Sequence, residues 1–223
     1  DITVRTLNVT ATGVNKPYDG NTTATVTLAD DRIVGDVLTP AYTSAAFLDP
    51  NVGVGKTVNV SGISISGGAD AGNYVLASTV AATTADITPI AAFVTPNAAS
   101  KVYGDLDPAP LTTGTLTGFL PADNVTATYT RTAGETVTGG PYTISVTLSP
   151  AGVLGNYNIT YNTANFTITQ RPASVTPNNA SKAYGAADPA PLTTGTLSGF
   201  LPADNVTATY SRTAGETVAG SPY

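Results

Sequence analysis

The stretch Asp107-Pro108-Ala109-Pro110-Leu111-Thr112-Thr113-Gly114-Thr115-Leu116 recurs 81 residues later as Asp188-Pro189-Ala190-Pro191-Leu192-Thr193-Thr194-Gly195-Thr196-Leu197. The surrounding segments, 93–142 and 174–223, are identical at 41 of 50 positions. A fixed period of this kind is typical of a chain built from tandem modules. The repeat therefore determines how every other feature of the sequence is interpreted.

The first part of the chain is a more distant relative of these two units. Its motifs and their later counterparts are Lys16-Pro17-Tyr18-Asp19-Gly20 with Lys101-Val102-Tyr103-Gly104-Asp105 and Lys182-Ala183-Tyr184-Gly185-Ala186, and Gly72-Asn73-Tyr74 with Gly155-Asn156-Tyr157. These correspondences predict three modules, at residues 1–88, 89–170 and 171–223. We expect the third module to be incomplete, because segments 143–148 and 158–161 have no counterparts in it.

Polar and apolar residues alternate with a period of two inside each module. Examples are Thr22–Leu28, Lys56–Ile65 and Tyr142–Leu148, and dipeptides such as Asp19-Gly20 separate such segments. Alternation of this kind places Thr or Ser on one face of a strand and Val, Ile or Leu on the other. The sequence predicts an all-β chain of small antiparallel modules, immunoglobulin-like sandwiches or β-grasp-like sheets, arranged end to end as an extended rod.

The composition argues against an enzyme. The chain has 13 Asp, 2 Glu, 4 Lys and 5 Arg, a net charge of −6, and neither His nor Cys. Catalysis by imidazole or thiolate is thereby excluded. The two glutamates, Glu135 and Glu216, occupy the same repeat position, so we do not expect the closely spaced carboxylate pair of a glycosidase. The acidic balance also argues against nucleic-acid binding, and no segment is apolar enough to insert in a membrane.

The order and spacing of the motifs resemble those of a known family. The first module resembles the YDG-type repeat through Tyr18-Asp19-Gly20 and Gly72-Asn73-Tyr74. The other two resemble the MBG-type (YGX) repeat, which occurs with it in tandem in large secreted bacterial adhesins. The resemblance implies a segment of a stalk or filament, secreted to the bacterial cell surface, with neighbouring modules of a longer chain as its partners.

Three functions are compatible with this resemblance. The first is a structural stalk or spacer that projects an adhesive region away from the cell. The second is a subunit of a self-assembling extracellular filament, in which strands of a neighbouring copy complete the third module. The third is direct binding of an extracellular polysaccharide.

The repeated tyrosines are the main candidate site residues. Tyr18, Tyr103 and Tyr184 either form a row that stacks on sugars, or each packs over a turn beside its glycine at the start of a module. Tyr74 and Tyr157 are expected to act as anchors whose hydroxyls bond nearby backbone, in the manner of a tyrosine corner. The predicted structural motif residues are Tyr18, Asp19, Gly20, Asn73, Tyr74, Tyr103, Gly104, Asn156, Tyr157, Tyr184 and Gly185.

The sequence leaves open two ways of stabilising the modules: an isopeptide bond and a bound Ca²⁺ ion. Lys16, Lys101 and Lys182 each stand two residues before a motif tyrosine, and each is either an isopeptide partner of an Asn or Asp or a solvated edge lysine. No cofactor is expected, although Ca²⁺ at the module joints is an alternative because hard cations take carboxylate ligands. The aspartates that suggest it are Asp30, Asp31, Asp36, Asp105, Asp107, Asp123 and Asp188.

Overall fold

Strands dominate the computed structural model of the protein, which describes residues 1–223. The first ten are β1 (Arg5–Leu7), β2 (Val9–Val14), β3 (Lys16–Pro17), β4 (Thr25–Asp30), β5 (Thr39–Ala41), β6 (Ser44–Phe47), β7 (Gly53–Ser61), β8 (Ser64–Gly67), β9 (Tyr74–Leu76) and β10 (Val80–Thr88). The other nine are β11 (Ile90–Pro96), β12 (Ala99–Val102), β13 (Gly114–Thr117), β14 (Thr126–Arg131), β15 (Tyr142–Ser149), β16 (Tyr157–Tyr161), β17 (Ala164–Thr169), β18 (Ser174–Pro177) and β19 (Gly195–Ser198).

Helical structure is confined to single turns. The α-helix α1 has four residues, Ala151–Leu154. The 3₁₀ turns are Ala71–Asn73, Pro121–Asp123, Pro202–Asp204 and Val218–Gly220. No helix has the length and apolar character needed to cross a membrane. The predicted all-β class is confirmed.

The chain folds into two compact units. The first comprises residues 1–97, 113–130 and 145–164, and the second comprises residues 98–112, 131–144 and 165–223. Each unit therefore takes segments from more than one of the predicted modules. The module boundaries after residues 88 and 170 stay a prediction.

The first unit is built around a four-stranded sheet of order β3-β10-β7-β6. Smaller sheets pair β1 with β9, β2 with β4, and β5 with β8, and a three-stranded sheet has the order β13-β11-β16. Inward-facing residues of these strands, among them Val58, Val60 and Ile87, are almost completely buried in one hydrophobic cluster. Alternate positions on β7 and β10 face the core because successive strand residues point to opposite faces.

The sheets are mixed, whereas the alternation had suggested antiparallel modules. Four pairings are parallel: β1 with β9, β3 with β10, β11 with β16, and β12 with β17. Each joins an early strand to one that lies much later in the chain. Alternation reports which face of a strand is buried but carries no information on the direction of its neighbour.

The second unit contains the parallel pair β12 and β17 and the antiparallel pair β18 and β19. Ile144, Phe166 and Ile168 in this unit are almost fully buried. The residues around β18 and β19 are mostly exposed. The buried apolar side chains of this unit therefore come from β15 and β17.

Gly13 on β2 is a position where the two-stranded β2–β4 sheet approaches β10. A Cβ at Gly13 would overlap the Thr84 carbonyl oxygen and lie 2.9 Å from Ala85 Cβ. We expect Gly13→Ala to lower the free energy of unfolding by about 1–3 kcal/mol, because the two backbones would be forced apart. Denaturant unfolding measures this change.

Gly67→Ala is the matched control, since nothing lies within 4 Å of the position that a Cβ would take there. Both substitutions make the same chemical change in a strand, so the unfolded-state effect of replacing glycine is shared. Equal stability losses in the two variants would contradict the close approach of β2 and β10.

Candidate functional site

Tyr74 binds a short turn in the first unit. The 3₁₀ turn Ala71–Asn73 delivers Tyr74 to the start of β9, where the side chain is buried. The Tyr74 hydroxyl accepts a hydrogen bond from Ile33 N (2.9 Å) and donates one to Asp36 Oδ2 (2.6 Å). The hydrogen bond to Asp36, followed by burial, raises the pKa of Tyr74. Tyr74 thus holds both ends of the turn Ile33–Asp36.

Tyr157 repeats this arrangement later in the same unit. It begins β16, and its hydroxyl accepts a hydrogen bond from Leu120 N (2.9 Å) and donates one to Asp123 Oδ2. The turn Leu120–Asp123 is closed by the Asp123 amide donating to the Leu120 carbonyl (3.1 Å). Burial and the neighbouring carboxylate of Asp123 raise the pKa of Tyr157 to about 12. Tyr157 therefore holds Leu120–Asp123 through the same two kinds of contact by which Tyr74 holds Ile33–Asp36.

Tyr18 binds the same carboxylate as Tyr157. The buried Tyr18 donates its hydroxyl to Asp123, 3.1 Å from either carboxylate oxygen. Its ring meets that of Tyr157 edge to face, with centroids 5.6 Å apart, and Phe119 lies 4.8 Å from Tyr157 on another side. Burial raises the pKa of Tyr18, and the hydrogen bond to Asp123 adds to the effect. Asp123 consequently links Tyr18 of the first repeat to Tyr157 of the second repeat.

Asn156 makes the second polar contact between these parts of the chain. Its buried side chain accepts a hydrogen bond from Val52 N (2.9 Å) and donates one to Asn51 Oδ1 (3.3 Å). Ala92 and Tyr157 also belong to the hydrophobic cluster that contains Tyr18. The buried Asn156 at the joint between the two repeats thus has its polar atoms paired, as buried polar groups must be.

The second unit contains the same joint at the next repeat. Tyr103 donates its hydroxyl to Asp204 Oδ1 (2.7 Å), which raises the pKa of Tyr103. Asp204 closes the turn Leu201–Asp204, which has the sequence of Leu120–Asp123. A salt bridge from Arg171 to Asp105 (2.9 Å) also lies at this joint. We call the pairs Tyr18–Asp123 and Tyr103–Asp204 the Tyr–Asp joints.

A glycine near each joint tyrosine faces a leucine, and at Gly104 only a glycine leaves room for it. Gly20 (φ +77°) and Gly104 (φ +85°) have left-handed backbone conformations, which glycine adopts without strain. A Cβ at Gly20 would lie 3.4 Å from Leu120 Cδ1, and one at Gly104 would overlap the Leu201 side chain. Each joint therefore pairs a Tyr–Gly loop with a turn that begins with Leu and ends with Asp.

The structure brings together some of the predicted residues and separates others. Tyr18, Asn156 and Tyr157 meet at the first joint, whereas Tyr184 is exposed and Asn73 lies on the surface. Sequence reasoning did not assign the partners Asp123 and Asp204 to the tyrosines. The signal that could have found them is the unchanged Leu-Pro-Ala-Asp of the two repeats, at a position where no strand was expected.

Lys101 lies in a cluster of charges in the second unit. Its side chain is only 5% exposed and contacts Asp107 (2.8 Å) and Glu135. Arg131 forms a bidentate pair with Asp107 (2.6 and 2.8 Å) and lies 4.7 Å from the centre of the Phe166 ring. Hydrogen bonds from Arg131 and Lys101 outweigh partial burial and hold the pKa of Asp107 at about 2.

The other two candidate lysines, Lys182 and Lys16, also bind groups of their own repeats. Lys182 contacts Asp188 (2.8 Å) and Glu216 (2.6 Å), so the charge cluster of Lys101 recurs one repeat later. Lys16 instead holds its own loop: it donates to the carbonyls of Asn21 and Thr23 (both 2.9 Å) and forms an ion pair with Asp19 (2.7 Å). Lys101 and Lys182 thus form ion pairs with carboxylates of their own repeats, whereas Lys16 holds the loop that follows it.

The aspartates considered for calcium are occupied by protein groups. Asp30 pairs with Arg32, Asp31 with Asn8, Asp36 with Tyr74, Asp105 with Arg171, Asp107 and Asp188 with Lys and Arg side chains, and Asp123 with two tyrosines. The structure contains no group of three or more acidic side chains that could hold a metal ion. Calcium at the joints stays a prediction that no observation supports.

Comparison with known families agrees with the repeated motifs. A model of the YDG domain matches residues 3–85, and a model of the MBG domain (YGX type) matches residues 92–167 and again residues 173–223. The chain belongs to the MBG domain family, and its first part matches the YDG domain. The resemblance inferred from the sequence is thereby confirmed. No curated protein and no solved structure matches the chain.

The charge states around Lys101 oppose an amide bond. The carboxylates of Asp107 and Glu135 raise the pKa of Lys101, while the pKa of Asp107 is lowered. Condensation requires a neutral amine and a protonated acid, and both forms are disfavoured here. We therefore expect intact-mass spectrometry to give the full calculated mass, and a loss of water or ammonia would show that a covalent bond forms.

Tyr157 should make stability depend on alkaline pH. Its folded-state pKa of about 12 exceeds the ordinary value of 10.0, so the folded protein holds the phenol proton more tightly than the unfolded chain. The resulting stabilisation is complete below pH 10 and is lost as pH rises toward about 12. We expect Tyr157→Phe to reduce this loss by up to about 3 kcal/mol, measured by denaturant unfolding across that interval.

Tyr161→Phe is the control for this experiment, because Tyr161 is a half-exposed tyrosine of the same strand, β16. It should keep the pH dependence of the unaltered protein. An unchanged dependence in Tyr157→Phe would show that Asp123 and burial do not hold the phenol proton.

Proposed function

We propose that this chain is a structural stalk segment of a secreted bacterial surface adhesin, which carries an adhesive region away from the cell. YDG and MBG domains occur in adhesin-like proteins and are non-enzymatic adhesin-type modules. The observation that supports the stalk role is the repeated Tyr–Asp joint. A stalk has to be continuous along its length, so it needs the same connection at each repeat.

The covalent connection between the first two domains is short. Strand β10 ends at Thr88 and β11 begins at Ile90, so Pro89 alone separates them. Proline fixes φ near −65°, and a connection without a flexible Gly/Ser segment leaves little conformational freedom. Thr88 also contacts the loop that contains Tyr18, because the Thr88 carbonyl accepts a hydrogen bond from Tyr18 N (2.9 Å).

The polar contacts oppose opening of the joint. Separation would break the hydrogen bonds that Asn156 and the Tyr18 hydroxyl make across the joint and would expose apolar surface around Tyr157. A hydrogen bond to a charged group contributes about 1.5–3 kcal/mol, so the Tyr18–Asp123 contact alone is a substantial constraint. These contacts favour a stiff connection, which suits a spacer that must hold a terminal region at a distance.

A strand-accepting filament subunit is the second proposal. A cleft of about 850 Å³ in the second unit is lined by residues of the third repeat, including Tyr184, Tyr210, Arg212 and Tyr223. A strand from a neighbouring copy could bind there by β-augmentation. A molecular mass that stays that of a monomer as concentration rises would contradict this proposal.

The positions of the tyrosines support polysaccharide binding less than they support the stalk role. Tyr18 is buried and Tyr103 binds Asp204, so these two rings do not form an exposed row with Tyr184. Binding to an extracellular glycan stays a prediction. A glycan array probed with the full chain tests it directly.

Nuclear spin relaxation tests the stiff joint. We expect backbone ¹⁵N relaxation to give one rotational correlation time for strands β2 to β10 and for strands β11, β13 and β16. Tyr18→Phe combined with Asn156→Ala removes the hydrogen bonds across the joint but leaves Tyr157 bound to Asp123. This double variant should shorten the correlation time of the first domain, because its motion becomes partly independent.

Asp31→Ala is the control, since Asp31 binds Asn8 within the first domain and leaves the joint contacts in place. It should give the relaxation of the unaltered protein. Two distinct correlation times in the unaltered protein would contradict the stalk proposal.

A further inference from the structure

Strand β3 and the end of strand β10 lie side by side and run in the same direction. β3 is one of the first strands of the chain and β10 is the last strand of the first repeat, yet Lys16 pairs with Ile87 and Pro17 with Thr88. The contact continues beyond β3, because Tyr18 N donates a hydrogen bond to the Thr88 carbonyl (2.9 Å). The place where the chain leaves the first repeat is thus bound to a segment near its beginning.

The side chains of Asn15 and Asp86 add to this contact. The pairing of β10 with β7 shifts register between Ala85 and Ile87, so Asp86 has no partner residue in that ladder. Asp86 N instead donates a hydrogen bond to Asn15 Oδ1 (2.7 Å), and Asn15 Nδ2 donates one to Asp86 Oδ2 (3.4 Å). The other carboxylate oxygen, Oδ1, accepts a hydrogen bond from Gly55 N of β7 (2.7 Å). Asp86 therefore joins β10 both to β7 and to the residue that precedes β3.

Tension along the chain loads this contact in shear. Such tension reaches β3 from its N-terminal side, through β2, and reaches β10 from its C-terminal end at Thr88. Because the two strands are parallel, the two pulls are opposite and run along the strands, so the hydrogen bonds between them are stretched together. A pull at right angles to the strands would instead break these hydrogen bonds one after another, starting from one end.

We propose that β3 and β10, joined by Asn15 and Asp86, form a clamp that resists tension along the chain. The inference rests on the proposed stalk role for the source of the tension, because a stalk that carries an attached region is pulled from both ends. Strand β7 adds to the resistance, since β10 lies between β3 and β7 in the sheet. Unfolding under force depends on the barrier to unfolding, so the clamp gives the first repeat a resistance that its equilibrium stability does not measure.

Single-molecule force spectroscopy with two directions of pull tests the clamp. The chain has no cysteine, so pairs of introduced cysteines define where the handles are attached. Val14→Cys with Pro89→Cys applies the force along β3 and β10. Val14→Cys with Thr84→Cys applies it across them, because a Cβ at Gly13 would overlap the Thr84 carbonyl oxygen and Val14 is the next residue. All three replaced side chains are exposed.

The rupture force along the strands should exceed the force across them at least about twofold at the same loading rate, because the hydrogen bonds then share the load. Each rupture should release about 230–270 Å of chain, the extended length between the handles, which identifies the event as unfolding of the first repeat. Equal rupture forces in the two directions would overturn the clamp.

Asn15→Ala tests the side-chain part of the clamp. In the chain pulled through residues 14 and 89, it should lower the rupture force, because Asp86 loses both hydrogen bonds to Asn15. Asn59→Ala is the matched control, since Asn59 is exposed on β7 and its replacement leaves the contact between Asn15 and Asp86 in place. Equal rupture forces in these two variants would show that Asn15 and Asp86 do not fasten the clamp, and the proposal would be wrong.

Failure of the clamp and failure of the stalk proposal give different results. Equal rupture forces in the two directions leave the relaxation of the joint between the first two repeats unchanged. Independent motion of the first repeat in the relaxation experiment would remove the stalk role, but it would leave the difference between the two directions of pull in place.

Discussion

The carboxylate of Asp123 is the interaction on which the first joint depends. It accepts the hydroxyl of Tyr157 from its own repeat and that of Tyr18 from the preceding one. Both rings are buried, so their hydroxyls need partners, and one carboxylate has enough lone pairs for both. A single residue thereby couples the fold of one repeat to the position of its neighbour.

The same physical solution serves repeats whose sequences have diverged. The YDG and MBG repeats share few residues, yet each has a tyrosine at the start of a late strand that holds a four-residue turn. In each, that strand runs parallel to an early one, as β9 does to β1 and β16 does to β11. The charge cluster of Lys101, Asp107 and Arg131 recurs only in the MBG repeats, whereas Lys16 binds backbone carbonyls in the YDG repeat. The turn and its tyrosine are thus the common feature, and the lysine contacts vary.

Much of the fold was predictable because it depends on local patterns. Alternation of Thr or Ser with Val, Ile or Leu identified β4, β7 and β15, and the 81-residue period identified the repeat. The parallel pairings were not predictable, since they join strands far apart in the chain and leave no local mark. Asp123 was noticed only as an acidic residue that could bind calcium. Its role depends on Tyr18, which is 105 residues away, and no spacing rule connects them.

The sequence by itself determined the class of the protein: an all-β, repeated, Cys-free chain without imidazole or thiolate chemistry, similar to adhesin repeats. These properties follow from composition, alternation and self-similarity, which are features of the chain read in order. The tertiary structure alone decided which tyrosines are buried anchors and which is exposed, and that Asp123 and Asp204 receive them. A hydroxyl and a carboxylate form a hydrogen bond only when folding brings them to about 3 Å, and that distance depends on the packing of strands from two repeats.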